Sequence, residues 1–566
     1  MMIRHQIFVW PFVLTFPLVF FSPNTSVHAQ GAFGDDNFDS DLGGFGDDSL
    51  GTTDLGGGLG GLEEGPSLEA VEQTVQQALA SAKSALDQED ATTALEKLQE
   101  AQGALSQLAS QNSVEVQKLA QEYQADMMFQ FGRAYKLADN VNMAMQYFEL
   151  VRTSSPMALQ DSPDLVTNAT IELGNIALDT NQFADAIENF EQAISADPQS
   201  ASAHYHMGKA KLLAAVFSPT GSDPSAPLVE STKSLHKAIE IDPNYGDAFL
   251  MRGRVLVQLS QMDLAIEDLT KAVTLLGKDS DASAELAKAY AGRGEVEGRN
   301  TDGDTDKIVA DFEAALRSLD DYLAGKAIEA KTKPWDEQDP LEIRPINMVR
   351  LRADVLKKLG DEFGPAGHGY YSQSIAESDR LLALDPESTD AAAAYFNRAV
   401  AKRMLGQLDE AVQDFTTCLA ETKKTQTRSY LSEASLRRGI IFFHQGKYEL
   451  AVSDFENATS WSQNPFASEP RAAFWLGLTY AKQGKQADAI RAYTQALRAY
   501  PEFVNALLNR GLALTNMGRY ELAIEDFSAV VRLDPKNQQA QGYLDIAKQR
   551  LHGSPGVVSG GYVVGY

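Results

Sequence analysis

A spacing of 34 residues, recurring through the chain, constrains this sequence more than any other feature. Gly477, Tyr480, Gly484, Ala489, Tyr493, Ala496 and Pro501 are followed, each 34 residues on, by Gly511, Leu514, Gly518, Ala523, Phe527, Val530 and Pro535. The same internal spacing runs through Gly174, Ala177, Asn181, Ala186, Phe190, Ala193 and Pro198, and through Gly132, Tyr135, Ala144, Phe148, Val151 and Pro156. Gly439, Phe442, Gly446, Ala451, Phe455 and Ala458 repeat it without the proline. Weaker copies pass through Gly253, Leu256, Ala265 and Ala272, and through Ala399, Gly406, Ala411, Phe415 and Cys418. Between these marks apolar residues recur at i, i+3, i+4 and i+7, the period of an amphipathic helix, and strand-like alternation is absent. A fixed period of this size describes one small helical unit that cannot bury its apolar face alone and stacks on copies of itself.

The residue types have physical reasons. The first small residue (Gly477, Gly511) lets one helix of the unit approach the other. The second glycine (Gly484, Gly518) suits the turn between them. Ala489 and Ala523 stand where the helices cross. The aromatic (Tyr493, Phe527) fills the core, and a small residue three positions on (Ala496, Val530, Cys418) packs beside it. Pro501 and Pro535 end the second helix. This pattern resembles the tetratricopeptide repeat (TPR) family. The resemblance implies an all-α, right-handed superhelical solenoid of helical hairpins, with about eleven repeats.

Three units carry insertions at the hairpin turn. Gly208 precedes, and Ala238 and Pro243 follow, the loop Phe217 to Pro227; Ala287 and Tyr290 precede, and Phe312 and Ala315 follow, the loop Glu297 to Asp306. The third loop, Gly364 to Gly369, lies between Leu356 with Gly360 and Leu381 with Pro386. A degenerate unit near Ala82, Ala94, Leu98 and Ala101 opens the array. The expected organisation is an N-terminal array over 67–325, a proline-containing break over 326–345, a C-terminal array over 346–537, a capping helix over 538–552 and a disordered tail over 553–566.

The N-terminus has a different character. Arg4, the apolar run Ile7 to Phe21 and the small residues of Val27-His28-Ala29 form a secretory signal, segment 1–29, with cleavage expected between Ala29 and Gln30. The alternative is an uncleaved anchor, which Pro11 and Pro17 disfavour. Segment 30–66 is rich in Gly and Asp and lacks Lys and Arg, the composition of a disordered tether. Gly43 to Leu50 fits a calcium-binding nonapeptide, but its near-copy from Gly31 is 12 residues away rather than nine, so an acidic linker is the simpler reading.

The net charge of −29 argues against nucleic acid or an anionic membrane as partner. No further run of apolar residues is long enough to span a bilayer, so no membrane insertion is expected once the signal is removed. The single cysteine, Cys418, reads as a small buried residue. His204 and His206, two apart on a helix, face different ways and make a poor metal pair. Asp302 to Glu313 has the length of a calcium loop but carries Lys307 where such a loop needs Gly, so a polar insertion is favoured. Enzyme signatures and cofactor motifs are missing, so neither an enzyme nor a cofactor or metal is expected.

The resemblance further implies that the first helix of each repeat lines a concave groove that takes peptides or partner helices. Transferred by register, the groove positions are Phe396, Val400, Arg403 and Met404; Leu436, Ile440, Phe443 and His444; Arg471, Phe474, Leu478 and Lys482; and Asn505, Leu508 and Leu512. This predicts an apolar surface with a few cations, suited to a partner segment with apolar anchors and some acid. The family's carboxylate clamp matches poorly here. The function expected is a protein-interaction scaffold outside the cytoplasm. The alternatives are a structural part of an envelope secretion or polysaccharide-export assembly held by an uncleaved N-terminus, and an enzyme built from the inserted loops.

Overall fold

The computed structural model describes residues 67–109, 114–154, 164–217, 225–299, 303–326, 341–384, 391–424, 430–460 and 470–553. The expected signal peptide with its Ala29–Gln30 cleavage, the Gly/Asp tether and the tail beyond Gly553 lie outside them. The described residues fall into two compact units, one ending at Pro243 and the other beginning at Asn244.

The first unit holds four helical hairpins: α1 (Leu68–Asp87) with α2 (Ala91–Ala109), α3 (Val114–Leu137) with α4 (Val141–Arg152), α5 (Asp164–Asp179) with α6 (Phe183–Ala196), and α7 (Ala201–Val216) with α8 (Ser225–Ile241). The second holds seven: α9 (Gly246–Gln258) with α10 (Met262–Leu276), α11 (Asp281–Arg299) with α12 (Thr305–Leu323), α13 (Pro345–Phe363) with α14 (His368–Leu384), α15 (Ala391–Met404) with α16 (Leu408–Lys424), α17 (Leu431–His444) with α18 (Tyr448–Ser460), α19 (Pro470–Lys482) with α20 (Gln486–Ala499), and α21 (Val504–Asn516) with α22 (Tyr520–Leu533). A last helix, α23 (Gln538–Leu551), packs on α21 and α22 at the end of the second unit. Among the described residues the fold is all-α, with eleven hairpins. None of its described helices is long and apolar enough to cross a membrane.

The small residue and the aromatic face each other inside one hairpin. A Cβ built on Gly477 would lie 2.5 Å from the Tyr493 ring, and one on Gly511 2.6 Å from Phe527, so any larger residue would force the two helices apart. Phe148, Phe190, Phe415, Phe455, Tyr493 and Phe527 are completely buried in this way, and so is Cys418, as expected. The tight turn has one geometry in the hairpins without an inserted loop. Lys485 N–H returns to Tyr480 O (2.9 Å), as Asp90 N–H does to Ala85 O (2.9 Å), closing the helix end. Gly406, Gly446, Gly484 and Gly518 supply the left-handed residue in the last hairpins; Glu89, Asp139, Asn181 and Ser260 take the same conformation, with φ near 58°, in earlier ones.

Two expected registers are corrected. In α11 the residue facing the ring of Phe312 is Gly294, not Ala287, and the helix runs on to Arg299, which shortens the expected loop. In the next hairpin Gly360 faces Tyr371, and the insertion is a 3₁₀ turn, Gly364–Gly367, whose Gly367 lies against the Gly360 backbone. The unit boundary at Pro243–Asn244 differs from the expected break at 326–345. The helices on either side of that segment pack directly: Leu319 and Tyr322 share a core with Ile343 and Met348, and Tyr322 O–H donates to Ile343 O at 2.8 Å.

Candidate interaction face

Within each unit most successive first helices touch: α1 with α3, α3 with α5 and α5 with α7, then α9 with α11, α11 with α13, α13 with α15, α17 with α19 and α19 with α21. The second helices are spread apart and pack mainly against first helices, although Arg152 Nη1 on α4 donates to Gln192 Oε1 on α6 at 3.0 Å. A stack crowded along its first helices turns that face inward, so each unit presents its first helices on the inner side.

The structure separates the sequence-predicted groove residues into two groups. Phe396, Val400, Leu436, Phe443, Phe474, Leu478, Leu508 and Leu512 are core residues, none more than 8% exposed. They pack between neighbouring helices: Phe396 lies 6.0 Å from the Phe415 ring, Phe443 5.3 Å from Trp475, and Phe474 5.0 Å from Phe503. The expected apolar groove is corrected accordingly, because those positions turn toward the flanking helices. His444 and Lys482 are exposed, and Arg403, Met404, Ile440, Arg471 and Asn505 are half-buried.

What the inner face does carry is a series of ion pairs bridging successive first helices. Lys83 on α1 reaches Asp126 on α3 (2.7 Å), and Lys136 on α3 reaches Glu172 on α5 (2.8 Å). In the second unit Arg254 on α9 donates from Nε to Glu285 Oε1 on α11 (3.0 Å), which Lys288 also engages (3.1 Å). Lys358 on α13 joins Glu295 on α11 to Asp354. Glu433 on α17 accepts from Arg437 Nε (2.7 Å) and from Arg471 Nη2 on α19 (2.9 Å). Burial alone would raise the carboxyl groups of Glu285, Asp354 and Glu433, but these cations hold all three below their ordinary values. Carboxylates pinned in the ionised form are poor general acids at neutral pH; they are suited to holding geometry and charge.

A second set of pairs, which the sequence reading missed, ties the two helices of a hairpin. Arg252, Arg293, Arg398, Arg438 and Arg510 each grip one carboxylate through Nε and Nη2: Asp268, Asp311, Asp414, Asp454 and Asp526, with Nη2–Oδ1 distances of 2.6 Å. Each Arg directly precedes the small residue, and each Asp directly precedes the residue that faces it. The fork is bidentate and the Asp is buried, which makes it a strong, directional link. The third nitrogen often reaches the preceding hairpin, as Arg398 does to Asp379 (2.5 Å) and Arg438 to Thr416 Oγ1 (2.8 Å).

His204, His206 and the described part of the acidic loop make contacts within the repeat array. His204 Nε2 lies 3.2 Å from Pro198 O, and His206 stacks on Phe190. Asp304 caps α12 by accepting from Asp306 N–H at 3.0 Å, and Glu313 faces Arg317; Asp302 lies outside the described residues.

Tetratricopeptide repeat models match residues 474–538 and 246–275, and a TPR repeat model matches 174–213. The chain is similar to DnaJ homolog subfamily C member 3 of Bos taurus, 24% identical over 67% of this chain and 69% of that protein. It is 30% identical to the Homo sapiens peptidyl-prolyl cis-trans isomerase FKBP4 over 20% of this chain and 27% of that one. Among solved structures, the P58(IPK) TPR domain matches 68% of this chain and 98% of its own at 20% identity, with a TM-score of 0.22. With small residues closed against rings across a shared turn in hairpin after hairpin, and with these family models matching in both units, the chain is a tetratricopeptide repeat protein, built as a scaffold for protein–protein interaction.

Proposed function

We propose that this scaffold works outside the cytoplasm and holds partner segments on the first-helix face of its second unit, as a binding protein and not as an enzyme. The observation that carries the reading is the character of that face: half-exposed Ile440 and Met404 stand among Arg403, Arg471, His444, Lys482 and Asn505, while the second-helix side is not drawn together. Such a mixture of apolar steps and directional charge suits an extended or helical segment of another protein. The residues that test it are surface ones, because aspartate at Phe443 or Phe474 would destroy the core instead. Photo-crosslinkers at Lys482 and Ile440 should give adducts with defined partners, whereas those at Leu450 and Leu522 on second helices should not. Equal adducts from both faces would sink the assignment of the face. Export is supported by the signal-like sequence at the N-terminus; mass spectrometry of the mature chain should find Gln30 first, and an intact Met1 terminus would contradict it.

A further inference from the structure

We propose that Arg403 anchors a carboxylate side chain of an acidic partner segment lying across α15 to α19. This rests on the proposed binding face and names the chemistry of what it takes. The other bridging cations of the face, Arg254, Lys358 and Arg471, each meet a carboxylate on a neighbouring first helix. Arg403 on α15 does not. Its Nε lies out of contact with solvent and donates to no described atom of the protein, and Nη2 reaches only the weak acceptor Met404 Sδ at 3.3 Å. The two carboxylates in electrostatic reach are already engaged: Asp361 accepts from Tyr371 O–H at 2.7 Å, and Glu433 is shared by Arg437 and Arg471. The charge beside Arg403 is the like charge of Arg437; burial and that neighbour together lower the Arg403 pKa.

A half-buried arginine whose Nε is shielded from solvent, short of an acceptor and facing another arginine is destabilising by itself. Such a group is retained where something else completes it, and the guanidinium fork is shaped for a carboxylate. Met404 borders it, so the fitting segment places an apolar residue beside its acid. The net charge of −29 does not oppose this, since charges more than roughly 8 Å away are largely screened at physiological salt.

The test is selection of random short peptides on the full-length protein and on Arg403→Gln, with affinities measured for the selected peptides. The expected result is enrichment of peptides with Asp or Glu next to an apolar residue. Arg403→Gln should weaken them at least about tenfold, Arg403→Lys should weaken them less, and the Tm of Arg403→Gln should hold or rise. Peptides that bind Arg403→Gln as tightly as the native protein overturn the anchor but leave the binding face standing. Enriched peptides without acidic residues do the same. A clear fall in Tm marks Arg403 as structural and overturns the anchor. If the native protein enriches nothing, both the anchor and the peptide-binding reading fall.

Discussion

His206 lies with its ring 5.6 Å from that of Phe190, nearly parallel to it, and burial, with Lys209 adding to it, pushes its pKa down to about 4. The imidazole is therefore neutral in the folded chain at pH values where an unfolded chain, near 6.5, has begun to protonate it. Its folded pKa is the lower one, so its contribution is fully present above about 6.5 and is lost as the pH falls from there to about 4. The size is roughly 3 kcal/mol over that window. His206→Phe keeps the stack without the titration, so its unfolding midpoint should fall less steeply than that of the native chain between pH 6.5 and 4. Identical slopes for the two proteins would show that the imidazole is charged in the fold. Nothing in the sequence separates His206 from its neighbour His204; both are half-buried, but His206 stacks on Phe190 with its Nδ1 shielded from solvent, whereas His204 Nε2 lies beside Pro198 O.

At the scale of one hairpin, the arginine–aspartate fork can be weighed against a variation the chain already contains. α17 and α18 are tied by Arg438 and Asp454, whereas α19 and α20 carry Leu476 and Ala492 at the equivalent positions with the same ring-to-glycine contact. Asp454 is 2% exposed. Arg438→Leu alone strands its charge and should cost about 3–5 kcal/mol, while Arg438→Leu with Asp454→Ala should recover most of that loss. Urea unfolding of the single and double variants measures this; a double variant no better than the single one would mean that the fork contributes more than charge balance. In α3 and α4 the same place is filled by Phe131 stacked on Tyr147, with ring centroids 5.0 Å apart. The glycine and the ring were legible in the sequence because both recur at a spacing of 16 and belong to a strong periodic pattern. The fork sits one residue earlier at the same spacing, yet was missed because ring, leucine and ion pair alternate there and no single residue type repeats. The groove was misjudged for a related reason. Register alone cannot say which side of an apolar first helix faces solvent when its neighbours on both sides bury it.

Across the whole molecule, stability is local and additive in a way that compact domains are not. Within each unit each hairpin touches the next, and among the described residues the ion pairs of the inner face join adjacent first helices, so a perturbation should decay over a few repeats. The place to see this is the C-terminal end. α23 buries Ala540, Leu544 and Ala547 against α21 and α22, and Tyr543 lies 5.6 Å from the Phe527 ring. Ending the chain before Gln538 uncovers Phe527, Val530 and Ala523, which are completely buried in the intact protein. Amide hydrogen exchange should then lose protection first in α21 and α22, less in α19 and α20, and not measurably in α9 to α12. The gradient distinguishes two pictures with the same contacts. If nearest-neighbour coupling governs, the loss fades along the stack toward α9. If the unit between Asn244 and the C-terminal helix folds as one cooperative body, protection falls by the same amount in α9 as in α21, and the arginine forks that reach from one hairpin to the preceding one, Arg293 to Asp263 and Arg398 to Asp379 among them, become the natural carriers of that cooperativity.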